Sequence, residues 1–259
     1  TQSPHIAVIL MVASEHMDWH ANIKEYVDAK ANIVRHQTSK DFAILARDYP
    51  RSMSYAKKTK AKVSTFSRKA AVKKGVWAKD GYFWFSDGKR KERVCPASAL
   101  RIPGEHNWEN AGAAITVAKI LGIPNKAILR AISEFGGLEH RLEFVRNVRG
   151  VRYYNDSYST APETAMVAIE ALAAPKIIIL GGSSKGSDFR KLGRTISKSK
   201  SVKAIIGIGA EWPEIKLKIK SSKFKIIEGC RNMREVVRAA HRLAARGDAV
   251  LLSPACASF

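Results

Sequence analysis

Side chains able to hold a metal or a phosphate gather first in ASEHMDWH, directly after the apolar run IAVILMV near the start of the chain. Glu15, His16, Asp18 and His20 offer oxygen and nitrogen ligands at a strand end, where open α/β sheets bind their ligands. A metal or phosphate role competes there with an ordinary polar loop. A second set lies in RIPGEHNWENAGAA, where Asn107 and Asn110 fall three apart at a helix start and share one face. Two amides so placed can address a planar ligand such as a nucleobase, or they can cap the helix. The third set is VRYYNDSYSTAP. A strand through Val151, Tyr153 and Tyr154 gives way there to the turn and capping types Asn155, Asp156, Ser157, Ser159 and Thr160, and Pro162 suits the first position of a helix. Free N–H groups and hydroxyls at such a helix start seat a phosphate or carboxylate, although a plain capped βα turn uses the same residues. A glycine-rich loop, GGSSKGSDF, sits between the apolar run KIIIL and a helical stretch, the order found in nucleotide-binding α/β units. Its glycine spacing is not that of the Gly-x4-Gly-Lys-Ser/Thr phosphate loop.

The elements that position these residues follow from periodicity. The run at 5–12 reads as a buried strand, and ANIKEYVDAKANIVRHQ as a helix. Between residues 41 and 100, the short alternating pieces DFAILARDY, AKVSTFS, GVWAKDGYFWFSDG and KERVCP predict antiparallel strands and hairpins. Trp77, Tyr82, Trp84 and Phe85 there fit a hairpin packing face better than a base-stacking platform. The small residues Ala111 to Ala114 permit close packing of the next helix. NKAILRAISEF ends at Gly136 and Gly137, which places a boundary between a first domain, 1–137, and a second, 138–259. After it come two strands with a turn at Arg149-Gly150, a helix PETAMVAIEALAA, and strands KIIIL, SVKAIIGIG, KFKIIEG and DAVLLSPA. Helical stretches such as MREVVRAAHRLAAR separate them, giving a Rossmann-like βα repeat.

With 259 residues, 46% of them hydrophobic and 26% charged, the chain is long enough for one large or two ordinary globular domains. No apolar run approaches the roughly 20 residues of a membrane span, so no membrane insertion is expected. Cys95, Cys230 and Cys256 are odd in number and lack Cys-x-x-Cys spacing, which fits a reducing cytoplasm. The formal net charge of +22 favours an anionic partner. Because the lysines interleave with strand and helix residues, solvated faces account for them better than a nucleic-acid stripe does. Both ends look cut, since the chain begins at Thr1 and stops just after an apolar run.

EHMDWH followed by YVDAK, then GEHNWEN, GLEHRLE, NDSYSTAP, GGSSKGSDF and LLSPACASF, taken in order and spacing, resemble the Mur ligase family, and LLSPACASF resembles its D-glutamate-adding branch in particular. The resemblance runs through essentially the whole chain. It implies an α/β protein in which the later part of a central ATPase domain is followed by a truncated Rossmann-like C-terminal domain that binds the amino acid. The UDP-binding domain, the ATP phosphate loop and the extreme C-terminus would be missing, and such a fragment would be inactive. The implied activity is ATP-dependent amide ligation of D-glutamate to UDP-N-acetylmuramoyl-L-alanine through an acyl phosphate, with ATP and magnesium as cofactors. A monomer is expected, with no nucleic-acid partner.

By the same resemblance, His16 would bind magnesium. Lys30 would do so once carbamylated, a change that turns a cation into a carboxylate-like group. Asn107 and Asn110 would face adenine, and Arg141 and Asp156 would contact the nucleotide, Asp156 accepting from ribose hydroxyls. His140, Thr160, Lys185 and Ser258 would hold the amino acid, with Lys185, Lys30 and His16 forming the catalytic set. Three positions depart from the family pattern: Met11 for an Asn, Glu15 for an Asp, and Tyr158 for the Lys of NDSKAT. Other amide-forming relatives, such as a different Mur ligase or a folylpolyglutamate synthase, are the alternatives within the superfamily. A basic nucleic-acid-binding α/β protein is the alternative outside it, and would show DNA affinity falling steeply with salt.

Overall fold

The structure is a computed structural model that describes residues 2–12, 20–184, 186–221 and 223–257. The chain divides into two compact units, Thr1–Arg101 with Glu105–Gly136, and Ile102–Gly104 with Gly137–Phe259.

The first unit is built on a six-stranded sheet in the order β1-β2-β3-β4-β5-β6. In sequence it runs β1 (Ile6–Ile9), α1 (Ile23–Arg35), β2 (Phe42–Ala46), α2 (Pro50–Ser54), β3 (Lys62–Ser67), β4 (Gly75–Lys79), β5 (Tyr82–Ser86), β6 (Lys91–Pro96), α3 (His106–Ile120) and α4 (Asn125–Glu134). Only β4, β5 and β6 pair antiparallel, whereas β1 to β4 are parallel. This corrects the expectation of antiparallel strands throughout 41–100. α1 and α2 carry the chain back to the same end of the sheet before β2 and β3, and a crossover of that kind makes successive strands parallel. Alternation within a strand reports which face is buried and says nothing about the direction of its neighbour.

The hairpin part agrees with its turn chemistry. Asp80 and Gly81, at φ 50° and 74°, have the two left-handed central residues of a type I′ turn. Trp77 and Phe83 are buried, Trp77 stacks on Trp84 with centroids 6.3 Å apart, and the Arg93 guanidinium lies 4.3 Å from the Tyr82 ring centre and 5.2 Å from that of Trp84. The aromatic face is thus spent within the hairpin. α3 presses Ala111 and Ile115 against Val76 and Phe83, and Ala113 against Ile44 and Phe66, so its start is carried close to the ends of β2 and β3.

The second unit follows the βα repeat: β7 (Glu143–Val148), β8 (Val151–Asn155), α5 (Pro162–Ala171), β9 (Lys176–Leu180), α6 (Arg190–Lys198), β10 (Val202–Gly207), α7 (Trp212–Lys218), β11 (Lys225–Ile227), α8 (Met233–Leu243) and β12 (Ala249–Leu252). The strand order is β11-β10-β9-β12-β8-β7, parallel except for β7. Arg149 and Gly150, at φ 52° and 84°, form the expected tight turn between β7 and β8. Alternation along β9 builds the two faces. Ile178 and Leu180 enter a core with Ala165 of α5, Leu192 of α6 and Ile215 of α7, while Ile177 and Ile179 meet Val236 and Ala240 of α8. Because β12 inserts between β8 and β9, the loops leaving β8, β12 and β9 emerge side by side at the carboxyl ends of adjacent strands.

Candidate functional site

In the first unit the described candidates lie on α1 and α3. Asn-x-x-Glu opens α1: Asn22 Oδ1 accepts from Glu25 N at 3.0 Å, and Glu25 Oε2 accepts from Ala21 N at 2.8 Å, which fixes where the helix begins. Lys30 is exposed on this helix, its ammonium 4.8 Å from the ring centre of Tyr26, one turn earlier. The His20 ring packs against the same Tyr26 ring, with centroids 5.4 Å apart, and its Nδ1 lies 3.6 Å from Glu25. His16, with Glu15 and Asp18, lies outside the described residues. Among the described residues no three His, Cys, Asp or Glu side chains gather as a metal site. The described residues therefore hold only one member of the expected magnesium set, Lys30, which would supply an oxygen donor only once carbamylated, and no reaction step is routed through a metal.

Asn107 and Asn110 are brought together as their spacing requires. Asn110 Nδ2 donates to Asn107 Oδ1 at 3.0 Å at the solvent side of the first turn of α3. Beneath them lies a charged cluster that periodicity does not reveal. Glu109, buried at 9% exposure, accepts from Tyr49 Oη at 2.8 Å and from Arg68 Nε at 2.6 Å. Arg68 Nη1 also donates to Glu105 at 3.0 Å. Burial, then the carboxylate of Glu109, push the Tyr49 hydroxyl up to about 12, so it stays a proton donor at neutral pH. The available sequence signal was a glutamate in the otherwise small-residue face of α3.

In the second unit the loops after β8, β9 and β12 form one surface. Asp156 N donates to Leu252 O at 2.7 Å, Ala255 N to Ser159 O at 2.8 Å, Gly181 N to Pro254 O at 2.9 Å, and Ser183 N to Ala257 O at 3.1 Å. NDSYSTAP, GGSSKGSDF and SPACAS are therefore stitched together through backbone. Gly182 is required for this approach, since a Cβ there would lie 2.5 Å from Ala257 O. Pro162 opens α5 as its type predicts.

Asp156 is 5% exposed, and both of its carboxylate oxygens are already in use. Oδ1 accepts from Leu142 N at 2.9 Å and Oδ2 from Ser253 Oγ at 2.7 Å. Desolvation raises its pKa above the ordinary carboxylate value, opposed by these hydrogen bonds and by Arg141. As placed, this carboxylate ties the β7, β8 and β12 ends together. A carboxylate has about four acceptor sites, so a ribose hydroxyl is limited by the burial of Asp156 and not by a lack of lone pairs.

His140 and Arg141 are exposed beside it. His140 takes a left-handed φ of 63°, its carbonyl accepts from Tyr158 N at 3.0 Å, and its Nδ1 accepts from Asn155 Nδ2 at 2.8 Å. Glu143 holds the same turn by accepting from His140 N at 2.8 Å. Thr160 is half-buried, its N–H donating to Tyr158 O at 2.9 Å, while Tyr158 itself is exposed. The structure thus brings His140, Asp156 and Thr160 onto one loop surface with Asn155, Glu143 and Ser253, three residues not picked out as site residues from the sequence. Lys185 and Ser258 lie outside the described residues. Burial pushes the Cys95 and Cys256 thiols up to about 11, which makes both poor nucleophiles.

Residues 1–118 match the Mur ligase middle domain, and residues 140–256 match the Mur ligase, glutamate ligase domain. Curated proteins named UDP-N-acetylmuramoylalanine--D-glutamate ligase align along the chain. That of Pelotomaculum thermopropionicum is 39% identical over 259 residues, covering 100% of this chain and 56% of the relative. That of Symbiobacterium thermophilum is 37% identical over 261 residues, covering 100% and 57%. The chain spans about half the length of the curated relatives it matches. Among solved structures, the MurF ligase of Thermotoga maritima in complex with ADP superposes with a TM-score of 0.72 at 18% identity, over 97% of this chain and 58% of that one. E. coli FolC in complex with DHPP and ADP gives 0.69 at 19% identity, over 98% and 59%. These likenesses concern the fold.

Proposed function

We propose, since the chain belongs to the Mur ligase family, that the protein carrying it joins D-glutamate to UDP-N-acetylmuramoyl-L-alanine at the expense of ATP, a carbon–nitrogen ligation in peptidoglycan precursor synthesis. The observation that carries this reading is the convergence of NDSYSTAP, GGSSKGSDF and SPACAS on one surface at the carboxyl ends of β8, β9 and β12. It is supported by identity of 36–39% to D-glutamate ligases along the whole chain.

In this reaction a carboxylate oxygen of the UDP substrate takes the terminal phosphoryl group of ATP, and ADP leaves. The unprotonated amine of D-glutamate then adds to the carbonyl carbon. Collapse expels inorganic phosphate and leaves the amide, the amine having lost its proton. Both steps crowd anions, so fixed cations and N–H donors are the help a protein can give. In this proposal Asn107 and Asn110 hold adenine, Arg141 and Lys185 face anionic groups, and His140, Thr160 and Ser258 hold the carboxylates of glutamate. Asp156 shapes the loop that presents them. The roles of Lys185 and Ser258 rest on motif resemblance alone. Magnesium belongs to the same proposal, with His16 and a carbamylated Lys30 as its holders. We place the protein in the cytoplasm as a monomer, and take the 259-residue chain by itself to be inactive.

An amino-acid panel with UDP-N-acetylmuramoyl-L-alanine and ATP tests the reading in the full-length protein. Phosphate release is expected with D-glutamate and not with residues 1–259 alone. Turnover with another amino acid and none with D-glutamate would sink the specificity claim.

A further inference from the structure

We propose that Glu109 is a positioning residue for the nucleobase: held by Tyr49 and Arg68, it fixes the angle at which the first turn of α3 presents Asn107 and Asn110. The proposal rests on reading those two amides as adenine contacts.

α1 and α8 begin with asparagine side chains, Asn22 and Asn232, that accept from the backbone N–H three residues on. α3 has no such cap, because its N-cap residue Glu105 makes no side-chain capping bond. Its start is held from outside instead. Glu109 reaches inward to Tyr49 and Arg68, while Glu105 takes the other end of the same guanidinium. Tyr49 and Arg68 sit on the loops just after β2 and β3, and those loops are tied to each other. Asp48 accepts from Ser67 Oγ at 2.6 Å and from Arg68 N at 3.0 Å. β2 and β3 are central parallel strands, so the cluster transmits the rigidity of the sheet to the helix start.

A buried carboxylate is costly unless paired and hydrogen-bonded, and an apolar side chain would fill this position in α3 without that cost. What a charged cluster adds is direction. With 3.6 residues per turn, Asn110 lies about 100° around the helix from Glu109 and Asn107, two residues back, about 160° in the same sense, so locking Glu109 sets the orientation of both amides. At a side-chain radius of about 6 Å, a 10° rotation of this turn moves an amide by roughly 1 Å, enough to break a hydrogen bond of ordinary length.

The test compares ATP with purine riboside triphosphate, which lacks the exocyclic amine that an asparagine carbonyl accepts from. It uses steady-state kinetics of the full-length protein. Glu109→Ala is expected to lower the preference for ATP, as a ratio of kcat/KM values, by about fivefold or more. The loss should fall mainly on KM for the nucleotide, with kcat changing by less than about twofold. Glu109→Gln, which still accepts from Tyr49, should retain more of the preference. Equal loss with both triphosphates means a merely structural role and overturns the proposal. Asn107→Ala separates the two layers. If it leaves the preference intact, the adenine reading falls and the proposal with it; if it erases the preference while Glu109→Ala does not, only the proposal falls. Should Glu109→Ala not fold, Tyr49→Phe removes a single hydroxyl and carries the same comparison, an unchanged preference counting against the proposal.

Discussion

Replacing Asp156 probes how the loop surface of the second unit is held. Asp156→Ala leaves two buried donors, Leu142 N–H and Ser253 O–H, without their acceptor. Each unsatisfied buried donor costs about 1–3 kcal/mol. Against this stands the relief of a carboxylate whose raised pKa marks its ionised form as disfavoured by burial. The net expectation is a loss of roughly 2–4 kcal/mol in the stability of this unit. Asp156→Asn should cost about 1 kcal/mol or less, because its carbonyl still accepts from Leu142 N and its amide can donate to the rotated Ser253 hydroxyl. Trp212 is buried in the second unit, and the other four tryptophans, at 19, 77, 84 and 108, belong to the first. Urea unfolding followed by the fluorine resonance of 5-fluorotryptophan at Trp212 therefore reads this unit alone, which matters when two units need not unfold together. The pH dependence has a definite sign. An acid whose folded pKa is raised binds its proton more tightly when folded, so wild type gains on Asp156→Asn as pH falls through the folded pKa towards the ordinary carboxylate value of 3.8. Equal destabilisation by Ala and Asn, or none by either, would refute the idea that two satisfied donors are what Asp156 contributes.

Lys176 is fully buried at the start of β9 with Ser201 Oγ 2.5 Å from its ammonium, and desolvation lowers its pKa from 10.5 to about 8. Its folded pKa is depressed, so the cost of burying the charge is full below pH 8 and vanishes as pH rises from about 8 to 10.5. Lys176→Met is thus expected to stabilise the second unit by about 3 kcal/mol at pH 7, the gap to wild type closing over that window; thermal melts showing a pH-independent gap would contradict it. Lys30→Ala in the full-length protein should abolish turnover, with partial return on adding short carboxylic acids that mimic a carbamate. Wild-type rates in the mutant would remove Lys30 from the site.

What could be read from the residues was what neighbours in the chain decide. Arg149-Gly150 and Asp80-Gly81 announce their turns because a type I′ turn needs two left-handed residues next to each other. Pro162 announces a helix start because its ring fixes φ and it has no N–H to leave unpaired. The ordered motifs pointed to the family for the same reason, each being a short local string. The direction of β2, β3 and β4 was not legible, because pairing is settled by crossovers and by partners far along the chain. Asp156 looked like an open acceptor in NDS. Its hydrogen bond to Ser253, 97 residues away, and its burial make it a structural tie. Glu109 was given no role from the sequence, because the groups that mark it, Tyr49 and Arg68, reach it from two other strand ends. Sequence by itself determined the elements, their turns and the residue types offered for chemistry. Tertiary structure alone decided which of those groups face solvent and which are spent on one another, since desolvation and hydrogen-bond satisfaction depend on neighbours that only folding brings within 3 Å.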